Sequence, residues 1–191
     1  MQRQIKDIAN IISGYTFREA IKSQSEGGAF VLQAKNINPA KDITNNENLI
    51  EIKFERAESA FFLQNDDIVV VSRGAKAGSF RAAVFKNKSS NIVAASSVFI
   101  IRIIDKMVLP AYVSIFLNSN VGQKRIMETE SGSIIKAIRR TEFEKIEIPV
   151  PTVKQQDIIV KLAANLNRQR AIFERKMQIE ENIANVIFEK I

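Results

Sequence analysis

The sequence contains no cysteine and no histidine among its 191 residues. Without cysteine there is no disulfide, no thiolate ligand for zinc and no thiol nucleophile, which fits a reducing compartment. Without histidine the chain lacks the usual general base near neutral pH and the commonest metal ligand. A hydrolase with a serine, histidine and aspartate triad is therefore excluded, and we expect neither a metal nor another cofactor.

Long hydrophobic runs are also missing. No segment approaches the roughly 20 consecutive apolar residues that span a bilayer. The opening segment from Met1 to Asp7 lacks the apolar core of a signal peptide. We therefore expect a cytoplasmic protein that has no membrane partner.

Composition and charge indicate a folded chain with an anionic partner. Apolar residues make up 46% of the chain and charged residues 26%, which is ordinary for a globular protein. Lysine and arginine number 28 against 21 aspartate and glutamate, a net charge of +7. This excess favours a polyanion as partner, but charge alone does not distinguish DNA, RNA and an anionic membrane.

The apolar pattern predicts an α+β fold. Ile5, Ile8, Ile11 and Ile12 follow helical spacing and predict a short opening helix. Short β-branched or aromatic runs follow as far as about Ile104, separated by clusters of Gly, Asn, Asp and Ser. A helical segment that starts at Pro110 should then rest on the sheet. The runs, which we expect to form a curved or barrel-like sheet, are residues 29–32, 49–52, 68–71, 80–85 and 97–101.

A domain boundary is predicted near Pro149 and Pro151, because prolines two residues apart force an extended exit. We therefore expect one domain over residues 1–151 and one long helix over residues 152–191. Thr152 and Gln155 form a capping box, and no glycine or proline follows as far as Ile191. Roughly 35 helical residues make a rod of about 50 Å.

The long helix carries an apolar stripe at steps of three and four residues. A small domain cannot cover a rod of this length, so we favour a coiled coil with a second copy over packing back onto the first domain. The expected result is a homodimer. The predicted dimerisation residues are Ile158, Leu162, Leu166, Ile172, Phe173, Ile179 and Ile183.

Short motifs in a fixed order carry a family resemblance over essentially the whole chain. They resemble those of DNA specificity subunits of type I restriction-modification systems, a bacterial defence. The quoted segments are Ile11-Ile12-Ser13-Gly14-Tyr15-Thr16-Phe17, Ala34-Lys35-Asn36-Ile37, residues 67–78, Ser131-Gly132-Ser133, Ile146-Glu147-Ile148-Pro149-Val150-Pro151 and Gln155-Gln156-Asp157-Ile158-Ile159.

The resemblance implies a function. One target recognition domain would read half of a split double-stranded DNA site, and the helix would form an antiparallel coiled coil. That coiled coil would dock the methyltransferase (modification) subunits, and catalysis would belong to these and the restriction subunits. Complete specificity subunits usually have two such domains and two such helices, so the chain is expected to be a half subunit, natural or truncated.

Candidate DNA contacts are basic or amide side chains near predicted turns. Arg73 and Lys76 lie on a turn whose glycines permit close approach, although the spacing differs from that of a nucleotide-binding P-loop. An arginine there suits a phosphate or a guanine edge. A solvated hairpin turn is the alternative, and for Asn36 a plain turn role is favoured. The other candidates are Lys35, Arg81, Lys124, Lys136, Arg139 and Arg140.

Two other functions are weighed against DNA recognition. Asp42, Glu51 and Lys53 have the residue types with which some nucleases hold magnesium, yet Glu-x-Lys recurs at Glu174 and Lys176, so chance explains the pattern. A protein-interaction or structural module with an incidental basic surface is the main alternative. A methyltransferase is disfavoured because no glycine-rich cofactor loop occurs.

Overall fold

A computed structural model describes residues 1–23, 27–54, 61–74, 80–87, 91–131 and 136–189. The predicted α+β class is confirmed. The strands are β1 (Gln2–Gln4), β2 (Ala9–Ser13), β3 (Gly28–Leu32), β4 (Ile50–Lys53), β5 (Ile68–Val71), β6 (Arg73–Gly74), β7 (Ala82–Val84), β8 (Ile92–Ala94), β9 (Val98–Ile103), β10 (Glu130–Ser131), β11 (Lys136–Ile138) and β12 (Glu147–Pro149). The helices are α1 (Ile5–Ile8), α2 (Pro110–Asn118), α3 (Asn120–Met127), α4 (Arg140–Phe143) and α5 (Val153–Phe188), with a 3-10 turn at Ala34–Asn36.

The central sheet has the strand order β2-β9-β5-β7, and all neighbours in it are antiparallel. A second sheet has the order β4-β3-β8, in which β3 and β8 run parallel. Two small sheets, β10-β11-β6 and β1-β12, complete the set. Across the residues that the structure describes, the strands thus form separate sheets and not one closed barrel.

The opening helix is shorter than predicted. Only Ile5–Ile8 is helical, and the chain from Ala9 to Ser13 is strand β2. Ile11 lies opposite Ile101 and Ile12 opposite Ile100 on β9. Four isoleucines at three- and four-residue steps therefore look helical in sequence, but pairing with β9 decides the conformation of the last two.

Strand β5 is buried on both faces because it lies between two cores. Ile68 and Val70 face the core shared with the helices, whereas Val69 and Val71 face the core shared with the second sheet. Side chains alternate along a strand, so a run of four β-branched residues serves both layers at once. The domain is layered, with helices on one side of the central sheet and the second sheet on the other.

A buried ion pair ties β9 to the turn before β5. Arg102 Nε and Nη2 donate to the two carboxylate oxygens of Asp67, each at 2.8 Å. The backbone N–H of Gln64 also donates to Asp67 at 2.8 Å. The hydrogen bond to Asp67 raises the pKa of the Arg102 guanidinium above its usual value. A carboxylate that is almost fully buried is thus compensated by three donors.

Helix α5 starts at a fixed point on the domain. Its N-cap is Thr152, which forms the predicted capping box with Gln155. The next residue, Gln156, is completely buried. Its Oε1 accepts from the Leu109 N–H, and its Nε2 donates to the carbonyls of Met107 and Pro151, all at 2.9 Å. The predicted long helix is therefore present, and its base is bonded to the loop before α2.

Beyond its base, α5 leaves the domain. Val160 still packs against the main core, and the Asn167 side chain donates to the Ala40 carbonyl at 3.4 Å. From Arg168 to Glu189 every residue is exposed. Among the helices of the described residues, none is long and apolar enough to cross a membrane.

Candidate nucleic-acid interface

Four segments meet at one end of the sheets, which we call the upper end: the residues after β2, β3 and β5, and the turn 95–97 between β8 and β9. The Tyr15 N–H donates to Ala94 at 2.7 Å, and the Ala95 N–H donates to Leu32 at 2.9 Å. The Ser72 N–H donates to Ser97 at 2.8 Å. Loops that a rigid sheet holds side by side are where binding residues concentrate in proteins.

The pairing of β6 with β11 organises the basic residues of the upper end. Ala137 lies opposite Arg73, and Lys136 lies opposite Gly74. Because side chains alternate along a strand and opposite residues share a face, Arg73 and Lys136 project from opposite faces. Lys136 lies on the face of the buried Ile138 and is itself half-buried. Arg73 lies on the outward face.

Arg139 shares that outward face with Arg73. It follows Ile138 in extended conformation, with φ −76° and ψ 120°, and the Ile138 N–H donates to Ser72 at 2.9 Å, which continues the register. Arg139 is therefore two positions from Ala137, the residue opposite Arg73. Such diagonal neighbours lie about 7–8 Å apart, within reach of one another's long side chains. Both arginines are exposed.

The remaining basic candidates differ in their availability. Arg140 opens α4, and its Nε donates to Glu144 at 2.7 Å in an ion pair. Lys124 is exposed in the last turn of α3. The neighbouring Arg125 is bonded to the Glu147 carbonyl and lies over the Phe116 ring, 5.7 Å from its centre. The predicted contact Lys76 lies outside the described residues.

In the turn at Ala34–Asn36 the Lys35 side chain is exposed, whereas the Asn36 side chain forms hydrogen bonds within the protein. Asn36 Oδ1 accepts from the Gln33 N–H at 2.9 Å, and Asn36 Nδ2 donates to the Asn48 carbonyl at 3.0 Å. Arg81 Nη2 donates to the Ala34 carbonyl at 3.0 Å. Asn36 and Arg81 therefore build the turn that carries Lys35, which agrees with the plain turn role favoured for Asn36.

A cleft at the upper end holds polar groups that sequence reasoning passed over. It has a volume of about 700 Å³ and is lined by Ser13, Gly14, Tyr15, Thr16, Arg18 and Phe61. A Cβ on Gly14 would lie 2.1 Å from the Ala95 carbonyl oxygen, so only glycine fits there. The Tyr15 ring packs edge-on against Phe17 and Phe54. Segment 11–17 belongs to the family motif, but no pattern within it points to a role for these side chains.

Both carboxylates of the nuclease hypothesis have other surroundings. Glu51 accepts from the Gly27 N–H at 3.0 Å and the Gly28 N–H at 3.4 Å. Asp42 lines a groove beside α5, where burial raises its pKa and the nearby charge of Lys86 opposes that shift. Within the described ranges, no group of three or more acidic side chains is placed to hold a metal ion.

The predicted dimerisation residues lie on the face of α5 that points away from the domain. Successive helical residues are about 100° apart, so the domain-facing Gln156, Val160 and Asn167 define one side and the stripe lies opposite. The seven predicted residues keep between 45% and 64% of their surface exposed.

The described residues thus form a layered sheet domain with exposed arginines at one end, joined to a projecting helix with an exposed apolar face. The model of the type I restriction modification DNA specificity domain matches residues 1–182. The chain belongs to this family. That membership confirms the predicted resemblance, the role in DNA sequence recognition and the expectation that the chain itself is not a catalyst.

Solved structures share the fold. The S subunit of a type I system from M. genitalium aligns with a TM-score of 0.61 and 16% identity over 95% of this chain and 42% of that one. The HsdS subunit from Thermoanaerobacter tengcongensis aligns with a TM-score of 0.62 and 13% identity over 92% of this chain and 39% of that one. A chain from a structure of type I restriction-modification complex assembly and conformational transition aligns with a TM-score of 0.69 and 15% identity over 95% of this chain and 42% of that one.

The protein spans about two-fifths of the length of these solved chains. At such low identity the likeness concerns the fold alone. No curated protein matches the chain in sequence.

Proposed function

We propose that residues 1–151 read one half of a split duplex DNA site through the upper end, and that residues 152–191 assemble the complex. The observation that carries this proposal is the exposed pair Arg73 and Arg139 on one face of the β6–β11 pairing. These two cations come from distant parts of the chain. In a DNA specificity domain, a rigid strand that presents them suits contact with the DNA backbone and base edges.

The proposed contacts divide into two kinds. Arg73 extends from an edge strand, where its guanidinium can form a bidentate pair with guanine O6 and N7 in the major groove. Arg139, Lys124 and Lys35 are exposed cations that would neutralise phosphates. Lys136 and Arg140 are half-buried or paired within the protein and would add charge at the border of the contact.

Binding to random-sequence duplex tests where the DNA lies. Replacing Arg73 and Arg139 together with alanine should weaken binding and should reduce the slope of log affinity against log salt by about 0.9 for each phosphate that is no longer neutralised. The control that removes the same number of charges is Lys6→Ala with Lys106→Ala, because both lysines are exposed and lie beyond the other end of the β2–β9 pair. Equal losses in both variants would contradict a DNA site at the upper end.

For assembly we propose a homodimer through α5, with the methyltransferase and restriction subunits as further partners. The outward face of α5 is apolar, and a second copy is the partner whose helix has the same length. Two identical domains related by a twofold axis would read identical half-sites, so the complete site would be an interrupted palindrome.

One flank of α5 offers a surface for a catalytic subunit. Lys161, Arg168 and Arg175 recur every seven residues and therefore form a line between the stripe and the domain-facing side. All three are exposed, although Lys161 is paired with Asp157 at 2.7 Å. We place the complex in the cytoplasm, where a bacterial restriction-modification system meets DNA.

A further inference from the structure

The cleft at the upper end, here called the 13–18 cleft, takes no part in the contacts proposed so far. Its lining combines the exposed residues Ser13, Thr16 and Arg18 with the rings of Tyr15 and Phe61. Hydroxyl groups and a guanidinium are groups with which proteins hold the phosphate oxygens of DNA. The composition of the cleft therefore fits a segment of nucleic-acid backbone.

A cluster of rings holds the wall of this cleft in place. The Tyr15 ring packs edge-on against Phe17, Phe54 and Phe61, with ring centres 4.8, 5.1 and 5.3 Å apart. The Tyr15 N–H also donates to the Ala94 carbonyl at 2.7 Å. Because rings and backbone are both held, a ligand at the rim would order little of the protein when it binds.

Arg18 is available at the rim. It is exposed, and no hydrogen bond or ion pair joins it to another residue that the structure describes. By contrast, Arg81 and Arg140 are each bonded within the protein. A guanidinium that extends from a fixed segment into water suits a charge-assisted contact with a phosphate.

The 13–18 cleft and the Arg73–Arg139 pair lie on opposite sides of the central sheet. Phe17 packs on the core of the second sheet, whereas Ile138, next to Arg139, lies in the core shared with the helices. The turn 95–97 between the two sides carries only small side chains. Packed layers lie about 10 Å apart, and the major groove of B-DNA is about 12 Å wide. The spacing of the two sides thus matches the spacing of two DNA strands across a groove.

We propose that the 13–18 cleft is a second DNA-backbone site, in which Arg18, Thr16 and Ser13 hold a phosphate of one strand while Arg139 holds a phosphate of the other. This inference rests on the proposed function and adds a contact together with its strand. The duplex would cross the upper end with its major groove over the turn 95–97. Arg73 would then reach base edges from the Arg139 side of that groove.

Contact with both strands has a consequence for recognition. Phosphate contacts set the position and rotation of a duplex on a protein, and base contacts then read the sequence. Cations on one side alone would leave the duplex free to roll about the contacted strand. Arg18 on the far side of the groove would stop this movement and hold the base edges at a fixed distance from Arg73.

Paired variants of Arg18 separate a phosphate contact from a structural role. On a short random-sequence duplex, Arg18→Ala should bind severalfold more weakly and reduce the slope of log affinity against log salt by about 0.9. Arg18→Lys keeps the charge and should retain the slope. Thr16→Val should weaken binding less and leave the slope unchanged, because a hydroxyl carries no charge. The control is Lys106→Ala, which is exposed beyond the other end of β9. Arg18→Ala that binds like Lys106→Ala overturns the proposal.

Single neutral phosphates show which strand Arg18 contacts. A methylphosphonate is placed at one position at a time in a duplex that the full chain has enriched from a random pool. Affinity is measured for the wild type, Arg18→Ala and Arg139→Ala, and each variant should be insensitive at the phosphate that it no longer contacts. Within the footprint of one domain, these two positions should lie on opposite strands. Two positions on the same strand, or none specific to Arg18→Ala, would refute the arrangement.

The same measurements separate this inference from the proposed function. If Arg18→Ala weakens binding and the Arg73 and Arg139 double variant does not, the cleft binds DNA and the proposed site on the β6–β11 pairing is wrong. The opposite result removes the cleft and leaves the proposed function intact. If no sequence is enriched from the pool, sequence reading fails, and the salt series on the random-sequence duplex still decides whether the cleft holds a phosphate.

Discussion

The Leu109 N–H donates a 2.9 Å hydrogen bond to the side-chain oxygen of Gln156. Leu109 is the N-cap of α2, which packs on the central sheet, and Gln156 lies in the first turn of α5. One buried amide therefore joins the sheet domain to α5. Because Gln156 has no exposed surface, its three hydrogen bonds do not compete with water.

Removing this amide should loosen the base of α5. Gln156→Leu keeps much of the volume but leaves the Leu109 N–H and the carbonyls of Met107 and Pro151 without their partner. We expect a loss of about 1–3 kcal/mol in the free energy of unfolding, measured in urea. Hydrogen exchange at the Leu109 amide should accelerate in the same variant.

Gln155→Ala is the matched control for this variant. Gln155 is exposed, and among the described residues its side chain bonds only within the capping box at Thr152. Water can replace its bonds, so the expected loss is about 0.5 kcal/mol and exchange at Leu109 should stay as in the wild type. Similar behaviour of the two variants would mean that Gln156 does not anchor the helix.

The Arg102–Asp67 pair should matter for stability mainly because removing Arg102 leaves a buried charge without its partner. Arg102→Ala strands the buried carboxylate of Asp67 with a single backbone donor. We expect a loss of about 3 kcal/mol in the free energy of unfolding. Adding Asp67→Asn removes the unpaired charge and should restore part of the lost free energy of unfolding.

An exposed ion pair gives the comparison for Arg102. Lys86 and Asp66 both keep more than a third of their side-chain surface in water. Lys86→Ala should therefore cost less than about 1 kcal/mol. A cost for Arg102→Ala as small as that for Lys86→Ala would show that Asp67 finds other compensation.

The sequence predicts best where a pattern is long and local. The stripe from Ile158 to Ile183 repeats over many turns, so α5 was predicted correctly. The run from Ile5 to Ile12 is too short to determine the conformation by itself, and pairing with β9 makes its second half a strand. Long local periodicity outweighs tertiary context, whereas a short run does not.

The candidate site was predictable in its residue types and not in its geometry. Arg73 and Arg139 are recognisable as cations near turns, but their shared face depends on a pairing of very short strands far apart in the chain. Gln156 gave no signal at all, because a glutamine in the first turn of a helix ordinarily faces water. Arg81 reads as a surface cation, yet its guanidinium is bonded to the Ala34 carbonyl.

Replacing Arg73 should change which bases the protein prefers, whereas replacing a phosphate contact should not. On a duplex that the protein prefers, Arg73→Ala should lose about 1–3 kcal/mol and become tolerant at one base position. Lys124→Ala should weaken preferred and random duplexes alike and reduce the salt slope by about 0.9. Binding isotherms on both duplexes across a salt series distinguish the two; equal weakening by Arg73→Ala would make Arg73 a phosphate contact.

The cationic flank of α5 should matter for partner capture and not for DNA. Reversing Arg168 and Arg175 to glutamate should reduce co-purification with the methyltransferase subunit, because both side chains are exposed on one line of the helix. Affinity for DNA should stay unchanged. Reversal at Lys6 and Lys106, which are exposed on the domain away from the upper end, is the control. Loss of both activities in the α5 variant would contradict the proposed division of labour.

Selection of bound duplexes from a random pool, followed by sequencing, tests the central claim most directly. The full chain, held as a dimer through α5, should enrich an interrupted palindrome whose two halves are related by the twofold axis. Enrichment of a single undivided site would contradict the dimeric arrangement. A bound pool with the same composition as the starting pool would contradict sequence recognition by this protein.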